Sequence, residues 1–264
     1  MTTINLNVLI TGASGGIGAA TALRLAKPLT PPYTVKTLML HYNSADDARI
    51  QDLNSRISQI NPNIKVSWVQ ADLASTAAVE TLAQSAAAAA ATTGAGPINV
   101  LFANAGTHLD HAGPSNGGTL ETVDLDAFEK TWRVNTLSVY HLTRLLVPSM
   151  AEHGFGRVIY TSSVAGLTGG IVGPHYASSK SALHGMMHFL AGAYAKQGIT
   201  FNAVAPALIE ETTMLPAGVE ELKTKIPVGR LGKPEEVADV VRVMVENGYV
   251  SNKVWAVDGG MVPM

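Results

Sequence analysis

Thr11–Gly18, which reads TGASGGIG, stands between an apolar run that ends at Thr11 and an Ala- and Leu-rich segment of helical period. Glycines in a strand-to-helix turn let the backbone approach a pyrophosphate closely, and the first N–H groups of the helix then point at its negative charge. The spacing G-x-x-x-G-x-G differs from the G-x-G-x-x-G of the general dinucleotide fingerprint. The stretch predicts a phosphate-binding turn, with tight-turn chemistry alone as the alternative.

Short apolar runs rich in β-branched residues alternate along the chain with longer segments of helical period, which indicates βαβ units around a parallel sheet. The predicted strands are nearly continuous in apolar character, as strands covered on both faces are: Val8–Thr11, Thr37–His41, Lys65–Gln70, Asn99–Phe102, Arg157–Thr161, Thr200–Val204 and Val254–Val257. The helices predicted between them span 16–27, 45–60, 75–93, 125–150, 176–197 and 234–246. The predicted fold class is α/β, a single doubly wound parallel sheet (Rossmann-like) with helices on both faces.

The composition suits one large folded unit. Of 264 residues, 47% are hydrophobic and 14% are charged, which excludes wholesale disorder. The net charge of -2 leaves no basic footprint, so we expect no nucleic-acid partner, and the lack of cysteine excludes disulfides and thiolate chemistry. No linker-like break in composition is present, so we expect a single domain over 1–264.

The sequence gives no sign of membrane targeting. Residues 1–7 lack the basic and apolar regions of a signal peptide. No run of about 18 apolar residues is available to span a bilayer. We therefore expect a cytoplasmic protein without a membrane partner.

Further short motifs follow the glycine turn along the chain. Ala71–Leu73 (ADL) comes after the third predicted strand, Asn104–Gly106 (NAG) after the fourth, and Asn135 lies in a later predicted helix. Pro206 and Val257–Gly260 (VDGG) follow the last two strands. Each motif is weak alone, but their order along one α/β chain is informative.

Ser163, Tyr176 and Lys180 complete the pattern. Lys180 follows Tyr176 by four residues, and Ser163 precedes Tyr176 by thirteen. With these motifs the chain, from Val8 to Gly260, resembles the short-chain dehydrogenase/reductase family, and within it the 3-oxoacyl-carrier-protein-reductase-like group. The family spacing selects Ser163 over its neighbour Ser162. The resemblance implies an NAD(P)-dependent oxidoreductase that moves a hydride between nicotinamide and a carbonyl or secondary alcohol, with Tyr176 as the acid/base.

The glycine turn and the resemblance together predict the residues of the site. The catalytic set is Asn135, Ser163, Tyr176 and Lys180. The cofactor-binding set combines the turn, the end of the second strand, the later motifs and two catalytic residues: Gly12, Ser14, Gly15, Gly16, Ile17, Gly18, Asn43, Ser44, Asp72, Leu73, Asn104, Ala105, Gly106, Tyr176, Lys180, Pro206, Ile209 and Thr212. The family's Thr falls on Glu211 by alignment, so Thr212 is taken one position late.

The chemistry explains why these residue types are needed. Tyr176 and Lys180 are i and i+4 and share one helix face. A free tyrosine has a pKa near ~10. A neighbouring ammonium, together with the positive charge of an oxidised nicotinamide, is expected to favour the phenolate and lower that pKa. Ser163 is expected to donate a hydrogen bond to the substrate oxygen. By resemblance, Lys180 binds the nicotinamide ribose and Asn135 holds a water that links Lys180 to solvent. By spacing alone, an ordinary amphipathic Tyr/Lys pair is the alternative.

The end of the second predicted strand, Leu40–Ser44 (LHYNS), bears on the choice of cofactor. An acidic residue there binds the ribose 2′-hydroxyl of NAD and repels a 2′-phosphate. None is present, and Asp46 is expected in the next helix, so Asn43 and Ser44 are the expected donors to a 2′-phosphate. Against this, Gly15 stands where many NADP-using relatives carry Arg or Lys. NADP is the expected cofactor, with NAD as the alternative.

Two segments are expected to shape the substrate pocket. Residues 208–227 are expected to form a mobile lid, and the long loop Thr107–Thr119 a further wall. Family members usually have Pro-Gly where this chain has Pro206-Ala207, so Ala207 requires an ordinary φ. An apolar pocket is predicted from Leu208, Met214, Leu215, Leu167 and Ile171. The small-molecule substrate stays open among an oxoacyl thioester, a polyketide-like ketone, a sugar and a small carbonyl.

The eight histidines raise a metal-binding alternative. His184 and His188 are i and i+4 on a predicted helix, but no zinc motif accompanies them, and their Met and Phe neighbours predict a packed helix face. His108 and His111 lie in the predicted loop, and His175 is expected either to be a satisfied loop residue or to touch the substrate. We expect no metal site.

A second hypothesis is a catalytically silent dinucleotide-sensing or scaffold protein on the same fold. The intact set of Ser163, Tyr176 and Lys180 argues against it. The resemblance implies a homo-oligomer, a tetramer or a dimer, in which the helices 125–150 and 176–197 pair between subunits.

Overall fold

Seven parallel strands form one sheet. The computed structural model describes residues 3–44, 47–108, 118–212, 215, 221 and 223–263. In chain order the strands are β1 (Ile4–Ile10), β2 (Tyr33–Tyr42), β3 (Lys65–Gln70), β4 (Val100–Ala103), β5 (Gly156–Thr161), β6 (Ile199–Pro206) and β7 (Lys253–Val257). The order across the sheet is β3-β2-β1-β4-β5-β6-β7, so the predicted doubly wound α/β fold is confirmed.

Helices cover both faces of this sheet. Among the described residues they are α1 (Gly16–Ala26), α2 (Asp47–Ile60), α3 (Thr76–Ala91), α4 (Leu125–Trp132), α5 (Ser138–Glu152), α6 (Ala165–Thr168), α7 (Pro174–Tyr194) and α8 (Pro234–Glu246). A π-helical segment, Arg133–Leu137, joins α4 to α5, and a 3-10 turn, Ala195–Gln197, follows α7. No helix in these ranges is long and apolar enough to cross a membrane.

Two apolar cores hold the layers together. On one face, α1 and α8 pack on the sheet through buried residues such as Leu25 and Val241. On the other face, α3 and α7 do so through Leu82 and Leu183. Each leucine that is fully removed from water contributes about 1.5–3 kcal/mol, so burial on both faces explains the continuous apolar strands.

Some predicted boundaries are wrong, for local reasons. β1 begins at Ile4 and not at Val8, because the polar Asn7 interrupts the apolar run yet is buried, with its amide donating to the carbonyl oxygen of Gly96 at 2.8 Å. The helix predicted over 125–150 is divided by the π-helical segment. The short α6 was not predicted, because four residues give no helical period.

The strand order reverses at the junction of β1 and β4, which lie side by side with β2 and β5 outside them. In open parallel sheets, ligands bind beyond the carboxyl ends of the strands at such a switch point. The turns after β1, β4, β5 and β6 all converge there, and they carry most of the residues that the sequence singles out.

Candidate active site

A cavity of about 950 Å³ opens at the carboxyl ends of the strands. Of the predicted site residues, all except Gly18 and Asn135 line its wall. These two are buried, Gly18 within α1 and Asn135 in the π-helical segment. One cavity therefore brings together motifs that are far apart in the sequence.

The glycine turn leads from β1 into α1 and is shaped for a ligand. Gly12 has a φ of 65°, and a Cβ on Gly18 would collide with the carbonyl oxygen of Gly12. Gly15 caps α1 without a side-chain hydrogen bond, and the first turn holds no acidic residue. Uncapped N–H groups at a helix start bind phosphate, so these residues fit the pyrophosphate of a dinucleotide.

Thr11 and Asn104 tie this turn to the end of β4. The hydroxyl of Thr11 accepts hydrogen bonds from the backbone N–H groups of Asn104 and Ala105, both at 2.9 Å. The amide of Asn104 donates in return to the carbonyl oxygens of Thr11, at 3.1 Å, and Gly12, at 3.3 Å. Asn104 therefore fixes the shape of the turn through hydrogen bonds within the protein.

Tyr176 lies in the first turn of α7, which begins at Pro174, and its side chain is 8% exposed. It lines the cavity together with Ser163, whose side chain is near enough to influence the pKa of Tyr176. The neighbouring Ser162 has other partners, because its hydroxyl donates to the carbonyl oxygen of Lys180 at 3.2 Å and lies 2.7 Å from Nε2 of His184. Both serines line the cavity, but the hydroxyl of Ser162 is engaged by these contacts, so Ser163 is the serine that acts on Tyr176.

Lys180 lies one helical turn further along α7 and is buried. Its ammonium donates to the carbonyl oxygen of Thr161 at 2.8 Å and lies 5.8 Å from the centroid of the Tyr176 ring. A Cβ on Gly106 would come within 3.0 Å of Nζ of Lys180 and 3.3 Å of Oδ1 of Asn135. A side chain at position 106 would therefore crowd both the ammonium of Lys180 and the amide of Asn135.

Asn135 is fully buried in the π-helical segment. Its Oδ1 accepts from the N–H of Thr107 at 2.8 Å, and its Nδ2 donates to the carbonyl oxygen of Thr107 at 2.9 Å and to Oγ of Ser179 at 3.0 Å. An amide oxygen accepts two hydrogen bonds, so one lone pair of Oδ1 is left for a further donor. Single-turn π-segments inside helices are frequent at functional sites.

The protonation of Tyr176 differs from the expectation from the sequence. Burial raises the pKa of Tyr176, and the hydrogen bond with Ser163 opposes this rise. Burial also lowers the pKa of Lys180 to about 8. The predicted lowering of the Tyr176 pKa by Lys180 is therefore wrong for the residues alone, because desolvation outweighs the ammonium nearly 6 Å from the ring.

The part of the cavity wall formed by Asn43, Ser44, Asp72 and Leu73 is named the adenosine end after the ligand expected there. Asn43 and Ser44 are exposed there, next to Asp72 and Leu73. Arg49 of α2 also lines this end, and its Nη1 donates to the carbonyl oxygen of Ser14 at 3.4 Å. Arg49 was missed because no motif contains it. The signal in the sequence is a basic residue in the first turn of the helix that follows β2.

The segment after β6 closes the wall on the opposite side. Ala207 has an ordinary φ, as expected, and Ile209 is buried and pairs with Gly232. Thr212 lines the cavity, and its hydroxyl donates to the carbonyl oxygen of Ile209 at 2.8 Å, whereas the left-handed Glu211, φ 58°, is not part of the lining. Thr212 is therefore the residue of this pair that lies on the cavity wall.

Three comparisons identify the chain. A family model described as short chain dehydrogenase matches residues 6–222. The chain belongs to this family. An uncharacterized oxidoreductase of Bacillus subtilis (strain 168), YmfI, is 31% identical over 97% of this chain and 99% of its own length. The 3-oxoacyl-[acyl-carrier-protein] reductase FabG of Aggregatibacter actinomycetemcomitans is 32% identical over 96% of this chain and 98% of its own.

The structural comparison gives the same family for this dehydrogenase. The crystal structure of levodione reductase superimposes with a TM-score of 0.81 at 27% identity and covers 98% of both chains. The predicted resemblance to the 3-oxoacyl-carrier-protein-reductase-like group is confirmed. The chain is an NAD(P)-dependent oxidoreductase that transfers a hydride between nicotinamide and a carbonyl or secondary alcohol.

The histidines of the dehydrogenase have partners other than a metal. His184 contacts Ser162, and Nδ1 of His188 lies 2.6 Å from Oδ1 of Asn252. Within the part of the chain that is described, no group of three or more potential metal ligands occurs. His175 lies in α7 and not in a loop, and it is buried. His111 lies outside the described residues.

Other residues at the site carried no signal in the sequence. The ring of His108 stands edge-on to that of Tyr176, with centroids 6.4 Å apart. His41, buried at the end of β2, contacts both the glycine turn and the segment before Asp72. Both depend on contacts between distant parts of the chain, so no local pattern reports them.

Proposed function

We propose that this dehydrogenase is an NADP(H)-dependent ketone reductase in which Tyr176 protonates the carbonyl oxygen of the substrate. The observation that carries the proposal is that Tyr176 and Ser163 line the same cavity, with Lys180 one helical turn further along α7 and also in its wall. The alternative is a catalytically silent dinucleotide sensor, which would not need Tyr176 and Ser163 on the wall of a cavity.

The residues divide the chemistry between them. Ser163 donates a hydrogen bond to the carbonyl oxygen, and Tyr176 gives its proton to the same atom. Because burial raises the pKa of Tyr176, the phenol keeps its proton at neutral pH, which is the form that reduction needs. When bound, NADPH supplies the hydride.

Lys180 and Asn135 resupply the proton. With a pKa of about 8, Lys180 both takes up and releases protons near neutral pH. The remaining lone pair of Asn135 Oδ1 suits a water that links Lys180 to solvent. This relay adds proton uptake and release by Lys180 to the roles that the resemblance implies for the two residues.

The choice of NADP over NAD rests on charge at the adenosine end. Residues 41–44 include no acidic side chain, and Arg49 brings a guanidinium to the same wall. A guanidinium recognises phosphate through paired hydrogen bonds. Arg49 therefore supplies the positive charge that many NADP-using relatives carry at the position of Gly15. Asn43 and Ser44 add polar contacts.

The substrate has an apolar part. Leu208, Leu215 and Ile171 line the cavity as predicted. Leu167 does not line it, and Met214 lies outside the described residues. An apolar wall suits an oxoacyl or polyketide-like ketone better than a sugar. We further propose that residues 208–227 act as a lid over this wall. The whole chain then forms a single domain.

The subunits assemble through α4, α5 and α7 into a dimer or tetramer. These helices expose several large apolar side chains, which monomers rarely cluster on one surface: Leu125, Tyr140, Leu145 and Phe189. Sedimentation as a monomer at micromolar concentration would contradict this. A cytoplasmic location stays a prediction.

The catalytic assignment is tested with Tyr176→Phe and Ser163→Ala over a panel of ketones. A positioned proton donor contributes about 10²–10⁴-fold, so kcat/KM should fall by about 10³ for the first variant and by about 10² for the second. Tyr194→Phe makes the same change on the same helix away from the cavity and should keep full activity. Full activity of Tyr176→Phe would show that the assignment is wrong.

The cofactor assignment is tested by calorimetry with adenosine 2′,5′-bisphosphate and 5′-AMP. The parent should prefer the bisphosphate, and Arg49→Ala should lose about tenfold in affinity for it and little for AMP, since a charged hydrogen bond contributes about 1.5–3 kcal/mol. Ala at Asn43 and Ser44 should weaken the bisphosphate further. Arg56→Ala, on the exposed side of α2, is the control. Equal affinity of the parent for both nucleotides would favour NAD.

A further inference from the structure

His41 links two parts of the candidate dinucleotide site. It is 1% exposed, at the end of β2. Its Nδ1 lies 3.1 Å from the backbone nitrogen of Gly12, and its Nε2 lies 2.9 Å from the carbonyl oxygen of Ala71. Gly12 belongs to the glycine turn, and Ala71 precedes Asp72 on the adenosine wall. One imidazole thus spans the pyrophosphate and adenosine ends of the cavity.

The two contacts fix the protonation of the ring. The N–H of Gly12 is a donor, so Nδ1 must accept, and the carbonyl oxygen of Ala71 is an acceptor, so Nε2 must carry the proton. Only the neutral Nε2–H tautomer satisfies both. An imidazolium would place the N–H of Nδ1 against the N–H of Gly12, which is also a donor.

The turn has little freedom to adapt to such a change. The N–H of Ala13 donates to the backbone carbonyl of His41 at 2.8 Å, which holds the turn directly over the end of β2. Gly12 already has a left-handed φ, and a Cβ there would touch the backbone of Ala105 at 3.0 Å. Repulsion between a protonated Nδ1 of His41 and the N–H of Gly12 therefore cannot be relieved by a local change at Gly12 and has to displace the turn as a whole.

We propose that neutral His41 is a positioning residue that holds the glycine turn and the adenosine wall in their dinucleotide-binding arrangement, so that protonation of His41 and dinucleotide binding oppose each other. The proposal rests on the dinucleotide site proposed above. It makes cofactor affinity sensitive to acid through a group that does not itself touch the reacting atoms.

The electrostatic surroundings agree with this. Burial lowers the pKa of His41 below its ordinary value, and the hydrogen bond to Ala71 opposes this only in part. The charged side chains that line the adenosine end are Arg49 from α2 and Asp72 after β3, while the glycine turn contributes none. The imidazole of His108 lies at the Tyr176 end of the cavity. The neutral Nε2–H form of the ring is thus favoured near neutral pH, and it is lost as the pH falls through the folded-state pKa, which lies below that of an ordinary histidine.

The test uses ADP-ribose, whose pyrophosphate diester has no ionisation between pH 5.5 and 8, unlike a 2′-phosphate with a pKa of about 6. It also lacks nicotinamide, so His108 has little influence. Affinity of the parent should fall as the pH is lowered from 7.5 through the folded-state pKa of His41, and by about fivefold or more once the pH lies below that pKa, a usual size for coupling between two sites. His41→Asn should bind with an affinity that stays constant over this range.

His153→Asn, at the exposed end of α5, is the matched control and should keep the pH dependence of the parent. If His41→Asn does not fold, nitrogen-15 spectra of the parent decide. The imidazole of His41 should show the Nε2–H tautomer, and by reciprocity its pKa should be lower with ADP-ribose than without. An equal or higher pKa, or a pH-independent affinity of the parent, overturns the inference. Failure of ADP-ribose to bind at any pH overturns instead the proposed dinucleotide site.

Discussion

Each end of the parallel sheet buries a cation, and the two cations differ in what surrounds them. Arg157, at the amino end of β5, donates to the carbonyl oxygens of Gly156 at 2.9 Å and Val245 at 3.1 Å, and stacks 4.3 Å from the centroid of the Phe155 ring. Lys180, at the carboxyl end, donates to Thr161 and lines the cavity. Burial lowers the pKa of both groups. The arginine is used for structure, whereas the lysine remains in reach of a ligand.

Buried amides show the same contrast. At the amino ends, Asn99 donates to the carbonyl oxygen of Asn5 at 2.8 Å and accepts from the N–H of Asn7 at 2.9 Å, and both contacts join neighbouring strands. At the carboxyl ends, Asn135 keeps a lone pair beside Lys180. Identical residue types thus serve stability at one end and chemistry at the other, so substitutions at the two ends should separate stability from activity.

The largest difference between the effect on activity and the effect on stability is expected for Lys180→Met. Without the proton relay, kcat/KM should fall by about 10²–10³. The free energy of unfolding at pH 7 should rise on the order of 1–3 kcal/mol, because burial holds the pKa at about 8 instead of 10.5 and each unit corresponds to about 1.4 kcal/mol. Loss of the bond to Thr161 offsets part of this gain. Kinetics and urea denaturation measure the two quantities.

The stability of the parent and of the Lys180→Met variant should also depend differently on pH. Folded Lys180 releases its proton at lower pH than the unfolded chain, so the parent should gain stability between about pH 8 and pH 10.5 relative to the variant. Lys196→Met, on the exposed 3-10 turn, serves as the control and should change neither quantity. A destabilised Lys180→Met at pH 7 would mean that the lysine is a structural residue like Arg157.

The opposite outcome is expected for Arg157→Met. The variant leaves the carbonyl oxygens of Gly156 and Val245 without their side-chain donor, and each unsatisfied buried group costs about 1–3 kcal/mol. Removing a buried charge offsets part of this, so unfolding should become easier by about 2–4 kcal/mol. Affinity for ADP-ribose and kcat/KM of the folded variant should stay within about twofold. Arg144→Met, exposed on α5, is the matched control, and a loss of activity without a loss of stability would break the comparison.

The sequence predicts most of what is repeated and local. All seven strands follow from apolar runs, and the order of Gly12, Asn104, Tyr176 and Lys180 locates the cavity. What it misses depends on neighbours that are distant in the chain. Arg49 and the tautomer of His41 are visible only once β2 lies against the glycine turn, and the raised pKa of Tyr176 follows from burial that no motif encodes.

The smallest effect on stability and activity is expected for Ser162→Ala. Ser162 lies in the candidate active site, but its contacts are structural. Ser162 is buried beside Ser163, but its hydroxyl serves Lys180 and His184, one backbone and one side-chain contact that hold α7 against the end of β5. Losing them should lower the free energy of unfolding by about 1 kcal/mol and kcat/KM by at most about tenfold, through a small shift of α7 and not through lost chemistry. Ser55→Ala, exposed on α2, controls for the change itself. If Ser162→Ala lost as much activity as Ser163→Ala while keeping its stability, the hydroxyl that serves the substrate would be that of Ser162, and the division between structural and chemical residues would have to be redrawn inside the Ser162–Ser163 pair.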